Sequence, residues 1–168
     1  MLRTVIFLVA LVAAVPAFAQ PPDGPKVALD LVGGYAGFLD ESLIDHGVVS
    51  ATLRYQVTKG ISVGPEIVYM IGPNDDRDLF LTGNMVFDFL KRPVGSRAGS
   101  VNPYLVVGAG VMRHMDRFRS GSFSSYEGAF TGGAGVRVWV TEHVSASGEY
   151  RVGWEPHVRV TGGVGVTW

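Results

Sequence analysis

Three of the four histidines, His46, His114 and His157, are the side chains best suited to hold a metal ion. Asp45 and Asp116 lie close to two of them in the sequence, and imidazole together with carboxylate is a common ligand set for zinc. The three histidines belong to separate segments, however, and none shows the short local spacing of a metal-binding motif. We therefore expect ordinary exposed histidines and no metal site.

A run of carboxylates at residues 74–78 (Asn-Asp-Asp-Arg-Asp) offers the oxygen ligands that calcium prefers. The run lacks the rest of the EF-hand pattern, including its glycine. We interpret it as a solvated acidic turn, and we expect no cofactor.

A serine-rich stretch near a histidine raises the question of nucleophilic catalysis. Ser122, Ser124 and Ser125 follow His114 closely in the sequence. A serine nucleophile needs a base within hydrogen-bond distance and a third group that orients the base. No motif in the sequence supplies that arrangement, so we expect that the protein is not an enzyme.

Three arginines, Arg113, Arg117 and Arg119, form a basic cluster just before these serines. Arginine binds phosphate in a bidentate manner, so the cluster suits a phosphate-bearing ligand, the alternative being a mobile basic loop. The formal net charge of the chain is only −1, so no general attraction to nucleic acid is predicted. The absence of cysteine excludes disulfides, thiol catalysis and thiolate metal sites.

The N-terminus has the features of a secretory signal peptide. Arg3 precedes a short apolar run that ends before Pro16, and residues 17–19 (Ala-Phe-Ala) place small residues where a signal peptidase reads them. The apolar run is too short to cross a bilayer as a helix. We predict a signal peptide at 1–19, a short leader at 20–25 and a single domain at 26–168.

The rest of the chain repeats one pattern, an alternating segment followed by a turn. In the last segment apolar and polar residues occupy alternate positions, which is the periodicity of a β-strand. Eight such segments are predicted, near residues 26–38, 48–57, 61–70, 79–90, 101–112, 126–140, 144–154 and 158–168. The fifth is apolar on both faces, so its sides are not assigned from the sequence.

Alternation by itself fits a soluble sandwich, a lipocalin-like calyx or a membrane barrel with its apolar face outside. The charged residues favour the barrel, because an eight-stranded interior is just wide enough for side chains and buried charges must pair there. The polar strand faces carry a balanced set of four acids and four bases that could form such pairs: Asp30, Arg54, Glu66, Asp88, Arg137, Glu149, Arg151 and Arg159.

The aromatic residues also favour a membrane barrel, provided that odd strands run up from the periplasm and even strands run down. They then form two girdles, as expected at the two membrane interfaces. The periplasmic girdle holds Tyr55, Phe87, Phe89, Tyr104 and Trp168, and the outer girdle holds Tyr35, Tyr69, Tyr126, Phe130 and Trp154. Residues 39–47 and 112–125 are predicted to be long outer loops.

On these residues the chain resembles the small eight-stranded outer-membrane barrels of the OmpA/OmpX type. The most specific features are Asn102-Pro103-Tyr104-Leu105 before a glycine-alternating strand, and a last strand that ends on an aromatic residue. The resemblance implies an all-β, eight-stranded antiparallel up-and-down transmembrane β-barrel in the outer membrane, with both ends periplasmic. It also implies recognition by the barrel-assembly machinery through Val160, Val164, Val166 and Trp168, and contact with periplasmic chaperones.

Within such a barrel we expect a structural or surface-binding role for a monomer whose interior is plugged by ion pairs. Arg113, Arg117 and Arg119 would then lie beside the phosphates of the outer leaflet and contact lipopolysaccharide. The alternatives are a lipid-A-modifying enzyme, a small-solute channel, an adhesin or a soluble lipocalin-like carrier.

Overall fold

The structure is a computed structural model that describes residues 27–39, 43–73, 76–89, 97–118, 121–154 and 156–168, with only the backbone described at 43–44 and 116–118. The predicted signal peptide and leader, the side chain of Arg117 and the whole of Arg119 lie outside this description.

Eight antiparallel strands form a closed barrel in which each strand pairs with its sequence neighbours and the first pairs with the last. The strands are β1 (Val27–Leu39), β2 (Leu43–Thr58), β3 (Ile61–Ile71), β4 (Arg77–Asp88), β5 (Val101–Phe118), β6 (Gly121–Trp139), β7 (Val144–Gly153) and β8 (His157–Thr167). The predicted fold class is confirmed. Among the described residues, no helix is long and apolar enough to cross a bilayer.

The two ends of the barrel are distinguished by the chain termini. Val27 and Trp168 are hydrogen-bonded to each other at one end, called the terminal end below. The opposite end, called the loop end, carries the β1–β2, β3–β4, β5–β6 and β7–β8 connections.

Strand alternation sorts apolar side chains to the outer surface and polar ones to the interior. On β8, Val160, Val164 and Val166 are 47–53% exposed, whereas Arg159 and Thr161 are at most 5% exposed. The outer surface of the barrel is therefore apolar, and its polar residues face inward.

The two faces of β5 are resolved by the structure. Val101, Leu105 and Val107 point outward, and Asn102, Tyr104 and Val106 are buried inside. The assignment of Tyr104 to the periplasmic aromatic girdle was wrong, because its side chain lies inside the barrel. Its partner across the β5–β6 ladder is Gly135, where an added Cβ would collide with the tyrosine ring, so this glycine makes room for the ring inside the barrel.

The predicted long outer loops are also wrong, because the strands continue into them. β2 begins at Leu43, β5 runs to Phe118 and β6 begins at Gly121. Residues 113–118 of β5 pair with residues 121–126 of β6 in an extension called the β5–β6 ribbon below, and residues 113–115 also pair with β4. Polar residues and glycines on both faces of the ribbon hid its strand periodicity. β6 pairs with β7 only from Thr131, so the β6 half of the ribbon projects beyond β7.

The interior is filled in layers from one end to the other. Trp139 and Ala28 pack together near the terminal end, and polar residues occupy the middle. An apolar cluster lies toward the loop end and consists of Ala36, Val48, Val68, Met70, Phe80, Met112 and Ala129. This apolar layer was not predicted. Along one strand the inward residues change from polar to apolar, and in the sequence such a change resembles an interruption of the alternating pattern.

Candidate functional site

A network of buried charges occupies the middle of the barrel, with Glu66 of β3 at its centre. Arg151 Nη1 and Arg159 Nη2 each donate a hydrogen bond of 2.9 Å to the Glu66 carboxylate. Three neutral side chains also donate to it: Ser50 Oγ at 3.1 Å, Thr82 Oγ1 at 3.4 Å and Asn84 Nδ2 at 2.8 Å. This carboxylate therefore ties β3 to β2, β4, β7 and β8.

Two further ion pairs extend the network. Arg54 Nη2 donates to Asp30 Oδ1 at 3.1 Å, between β2 and β1. Arg137 Nη1 lies 3.2 Å from Asp88 Oδ1, between β6 and β4, and the same oxygen accepts a bond of 2.8 Å from Asn102 Nδ2. Each pair thus links two strands across the interior.

Glu149 completes the charge balance. Its carboxylate pairs with Arg151, lies 3.8 Å from Arg159 Nη2 and accepts a hydrogen bond of 3.0 Å from the Tyr104 hydroxyl. The structure thus brings together all eight charged residues that the strand alternation placed inside.

Little space remains among these side chains. A cavity of about 30 Å³ lies between residues that include Arg54, Glu66, Tyr104 and Arg151. That volume holds about one or two water molecules. Toward the loop end, Met70 and Phe80 of the apolar layer are at most 2% exposed. The chemistry that this arrangement supports is internal pairing of charges.

The outer surface near the loop end carries Arg113 on β5, directly opposite Tyr126 of β6. The Arg113 guanidinium lies over the Tyr126 ring, 5.4 Å from its centroid, and Arg113 Nε is buried without a hydrogen-bond partner. Arg117 occupies a β5 position of the same parity, opposite Ser122. Of the predicted basic cluster, the structure therefore describes only the Arg113 side chain.

An apolar groove of about 600 Å³ runs across β3–β7 and shares the β5 strand with Arg113. Phe130, Trp154, Val152 and Met85 are among its lining residues, together with the small residues Gly83, Ala109 and Gly132. Val107 and Ala109 of the groove lie four to six residues before Arg113 on β5.

A histidine–aspartate cluster lies at the loop end, where exposed histidines and a solvated acidic turn were predicted. The prediction of exposed histidines was wrong for His46 and His157, and the prediction of a solvated turn was wrong for Asp78, because all three are at most 2% exposed. The inward parity of β4 buries Asp78, and the strand pairing places it directly opposite His114 of β5. Sequence spacing did not reveal this, because the residues come from separate strands.

The serine-rich stretch does not form the hydrogen bond that a catalytic serine needs. Asp78, His114 and Ser125 are cross-strand neighbours, and His114 Nδ1 lies 2.7 Å from Asp78 Oδ1. A serine nucleophile must share its hydroxyl hydrogen with the imidazole. Ser125 Oγ instead donates to Glu127 Oε1 at 3.2 Å.

The residues of the predicted assembly signal lie on the outer surface of β8 and just beyond it. Val160, Val164, Val166 and Trp168 are all exposed, so they form one apolar stripe that ends at the terminal end.

Comparison with known families gives one match across the chain. The family described as "Outer membrane protein beta-barrel domain" matches residues 5–167. A comparison with curated proteins finds no match.

Solved structures with the same fold share little sequence with this chain. Neisserial surface protein A (NspA) is 14% identical, with a TM-score of 0.69, covering 89% of this chain and 100% of that one. The N-terminal β-barrel domain of Pseudomonas aeruginosa OprF is 14% identical, with a TM-score of 0.66, covering 86% and 98%. Ail, the attachment invasion locus protein of Yersinia pestis, is 14% identical, with a TM-score of 0.52, covering 86% and 97%.

Proposed function

The chain belongs to the outer-membrane β-barrel family, and from that premise we propose that it is a non-enzymatic barrel with a closed interior and an outer surface that contacts lipopolysaccharide. Its location is the outer membrane, as for the family. The observation that carries the proposal is the contrast between a filled interior and an exposed apolar surface with an arginine at its loop end.

The layered filling supports a closed interior. An ion crossing the barrel would have to break the pairs around Glu66 and then pass the apolar layer around Phe80, where hydrating water has no polar partners. Both steps cost free energy, because buried charges lose their partners and ions lose their hydration.

We expect the protein purified from outer membranes to give no large, steady conductance in planar lipid bilayers. The variant Phe80→Ala, which thins the apolar layer, is expected to increase brief openings without producing a stable pore. Phe87→Ala serves as the matched control, because Phe87 is 37% exposed on the outer surface. A steady conductance of the unaltered protein would show that the interior is open.

The position of Arg113 supports contact with lipopolysaccharide. It lies just past the apolar stretch of β5 and beside Tyr126, which is 66% exposed and belongs to the predicted outer girdle. Amphipathic aromatic rings lie at headgroup level, so the guanidinium would lie near lipid phosphates. The neighbouring groove has a volume of about 600 Å³ and a mostly apolar lining, which suits an acyl chain.

Replacing Arg113 with Gln is expected to weaken lipopolysaccharide binding about tenfold at low salt, the size of one charge-assisted hydrogen bond. The triple variant Arg113→Gln, Arg117→Gln, Arg119→Gln should weaken it further, and added salt should weaken binding of the unaltered protein. Binding can be measured by calorimetry with purified lipopolysaccharide and the protein in detergent.

Arg97→Gln is the matched control for this prediction, because Arg97 is an exposed arginine at the terminal end. Loss of binding in that variant would indicate a nonspecific charge effect. Equal binding by the triple variant and the unaltered protein would contradict the proposed contact.

The β5–β6 ribbon supports a second candidate function, attachment to another surface. Phe123 and Tyr126 are 56% and 66% exposed on it, and its β6 edge extends past the end of β7. Exposed strand edges and aromatic side chains are common elements of peptide and protein recognition. Ail is named for attachment and has also been solved with the heparin analogue sucrose octasulfate. Unchanged lipopolysaccharide binding in the triple variant, together with adherence lost on deletion of the ribbon, would favour this candidate.

We also propose that the barrel-assembly machinery and periplasmic chaperones are its partners during export and that the folded protein is a monomer. The outward stripe of Val160, Val164, Val166 and Trp168 supports recognition of the last strand. Closure of β1 on β8 removes the two strand edges that an open sheet would present to a second copy.

A further inference from the structure

Three donor atoms from two strands and one turn meet inside the loop end of the barrel. His46 Nε2 lies 3.0 Å from Asp76 Oδ2 and 3.5 Å from Asp78 Oδ2. The donor atoms of these three residues all lie within 4.8 Å of one another. A cation bound at about 2.1 Å in tetrahedral geometry places its ligand atoms about 3.4 Å apart, so the spacing fits one ion.

The surroundings hold these side chains in place. An added Cβ at Gly72 would lie 2.7 Å from His46 Cδ2, so the imidazole occupies the space that this glycine leaves open. The Phe38 ring packs edge-on against the imidazole, with centroids 4.9 Å apart. Asp76 is fixed by a tight turn, since its carbonyl accepts a bond of 2.9 Å from Gly72 N and its amide donates to Pro73 O at 3.1 Å.

The charge of the cluster also indicates a cation. Asp78 is 1% exposed and the Asp76 side chain is 19% exposed, so two carboxylates lie close together away from water. Asp76 Oδ1 is buried without a hydrogen-bond partner and lies 3.6 Å from His114 Nδ1. Close, buried carboxylates repel each other unless positive charge lies between them, whether from a neighbouring histidine or from a bound cation.

We propose that His46, Asp76 and Asp78 bind a divalent transition-metal ion of the zinc class at the loop end. His114 is a positioning residue, because its Nδ1 lies 2.7 Å from Asp78 Oδ1 and orients that carboxylate from behind. One imidazole and two carboxylates suit zinc better than calcium or magnesium, which take six or more oxygen ligands. The ion would join β2 to the β3–β4 turn above the apolar layer.

The test is calorimetric titration of zinc chloride alone into the protein purified from outer membranes and freed of metal with a chelator. We expect one ion per chain. His46→Ala and Asp76→Asn should each weaken zinc binding by at least about 100-fold, and His114→Gln by about 10–100-fold, as for residues that orient a ligand. X-ray absorption at the zinc edge should show nitrogen and oxygen neighbours with the signature of one imidazole.

Two variants are matched controls. His143→Ala removes an exposed histidine at the terminal end, and Asp45→Asn removes the carboxylate next to His46 that accepts from the Tyr35 hydroxyl. Both should bind zinc like the unaltered protein, and heat-modifiable migration on a gel verifies that each variant is folded. Zinc binding that is absent, or that survives both His46→Ala and Asp76→Asn, would overturn the proposal. Tighter binding of calcium at the same residues would overturn the assigned class of ion.

Discussion

Replacing Glu66 with Ala is expected to lower the free energy of unfolding by about 3–5 kcal/mol, the cost of removing one partner from a buried ion pair. The loss follows from the position of the carboxylate. It accepts hydrogen bonds from two arginines and three neutral side chains, and its removal leaves the Arg151 and Arg159 charges less well compensated inside the barrel. Urea unfolding in detergent, followed by tryptophan fluorescence, measures the change.

Two comparisons make this prediction specific to buried charge. Glu66→Gln keeps the side-chain volume and one acceptor oxygen, but it removes the charge and puts an NH2 donor where the second oxygen accepts hydrogen bonds. Its effect should therefore be smaller than that of Glu66→Ala but larger than that of a surface substitution. Glu127→Ala removes an exposed glutamate on β6 and should change the unfolding free energy by no more than about 0.5 kcal/mol. Equal stability of Glu66→Ala and the unaltered protein would show that water replaces the carboxylate and that the network adds nothing.

The fold could be predicted from the sequence because barrel strands have a strict period of two. On β8, every second residue from Val158 to Trp168 is apolar or glycine, and that pattern identifies the strand and its apolar face. The balanced interior charges and the aromatic girdles were needed to place that face outside. The ribbon could not be predicted in the same way. Ser122 and Ser124 share one face with Tyr126, and Phe123 shares the other with Ser125, so neither face is consistently apolar. Only their cross-strand pairing with Arg117 and Met115 shows that Ser122 and Ser124 belong to a strand.

The interior charges were predictable for the same reason, since parity fixes which residues face inward. Their pairing could not be predicted, because Glu66 and Arg159 are 93 residues apart in the chain. They meet only because closure of the barrel places β8 across the interior from β3. The loop-end cluster was missed for a related reason. His46 and Asp78 belong to different strands, so their spacing in the sequence does not indicate that His46 Nε2 lies 3.5 Å from Asp78 Oδ2.

Barrel closure depends on glycines along the seam between β1 and β8. Gly163 pairs with Val32, and Gly34 pairs with Thr161. A Cβ at Gly163 would lie 2.6 Å from Val32 Cα and would collide with the Leu31 carbonyl, and a Cβ at Gly34 would lie 2.8 Å from Thr161 Cα. These are backbone contacts, so no change of side-chain rotamer relieves them and the two strands must move apart.

Gly163→Ala is therefore expected to destabilise the barrel by about 3 kcal/mol, at the upper end of the cost of overpacking, and to slow its folding into detergent or lipid. Gly162→Ala is the matched control one residue away, because its Cβ would make an ordinary contact of 3.5 Å with Ser147 O. Both variants lose the same glycine flexibility on the same strand, so any difference in their stability measures the effect of the close contact between β1 and β8. Urea unfolding measures the stability of each variant, and the heat-modifiable gel shift measures closure of the barrel. Similar losses of stability in both variants would mean that strand propensity, rather than close approach at the seam, sets the requirement for glycine.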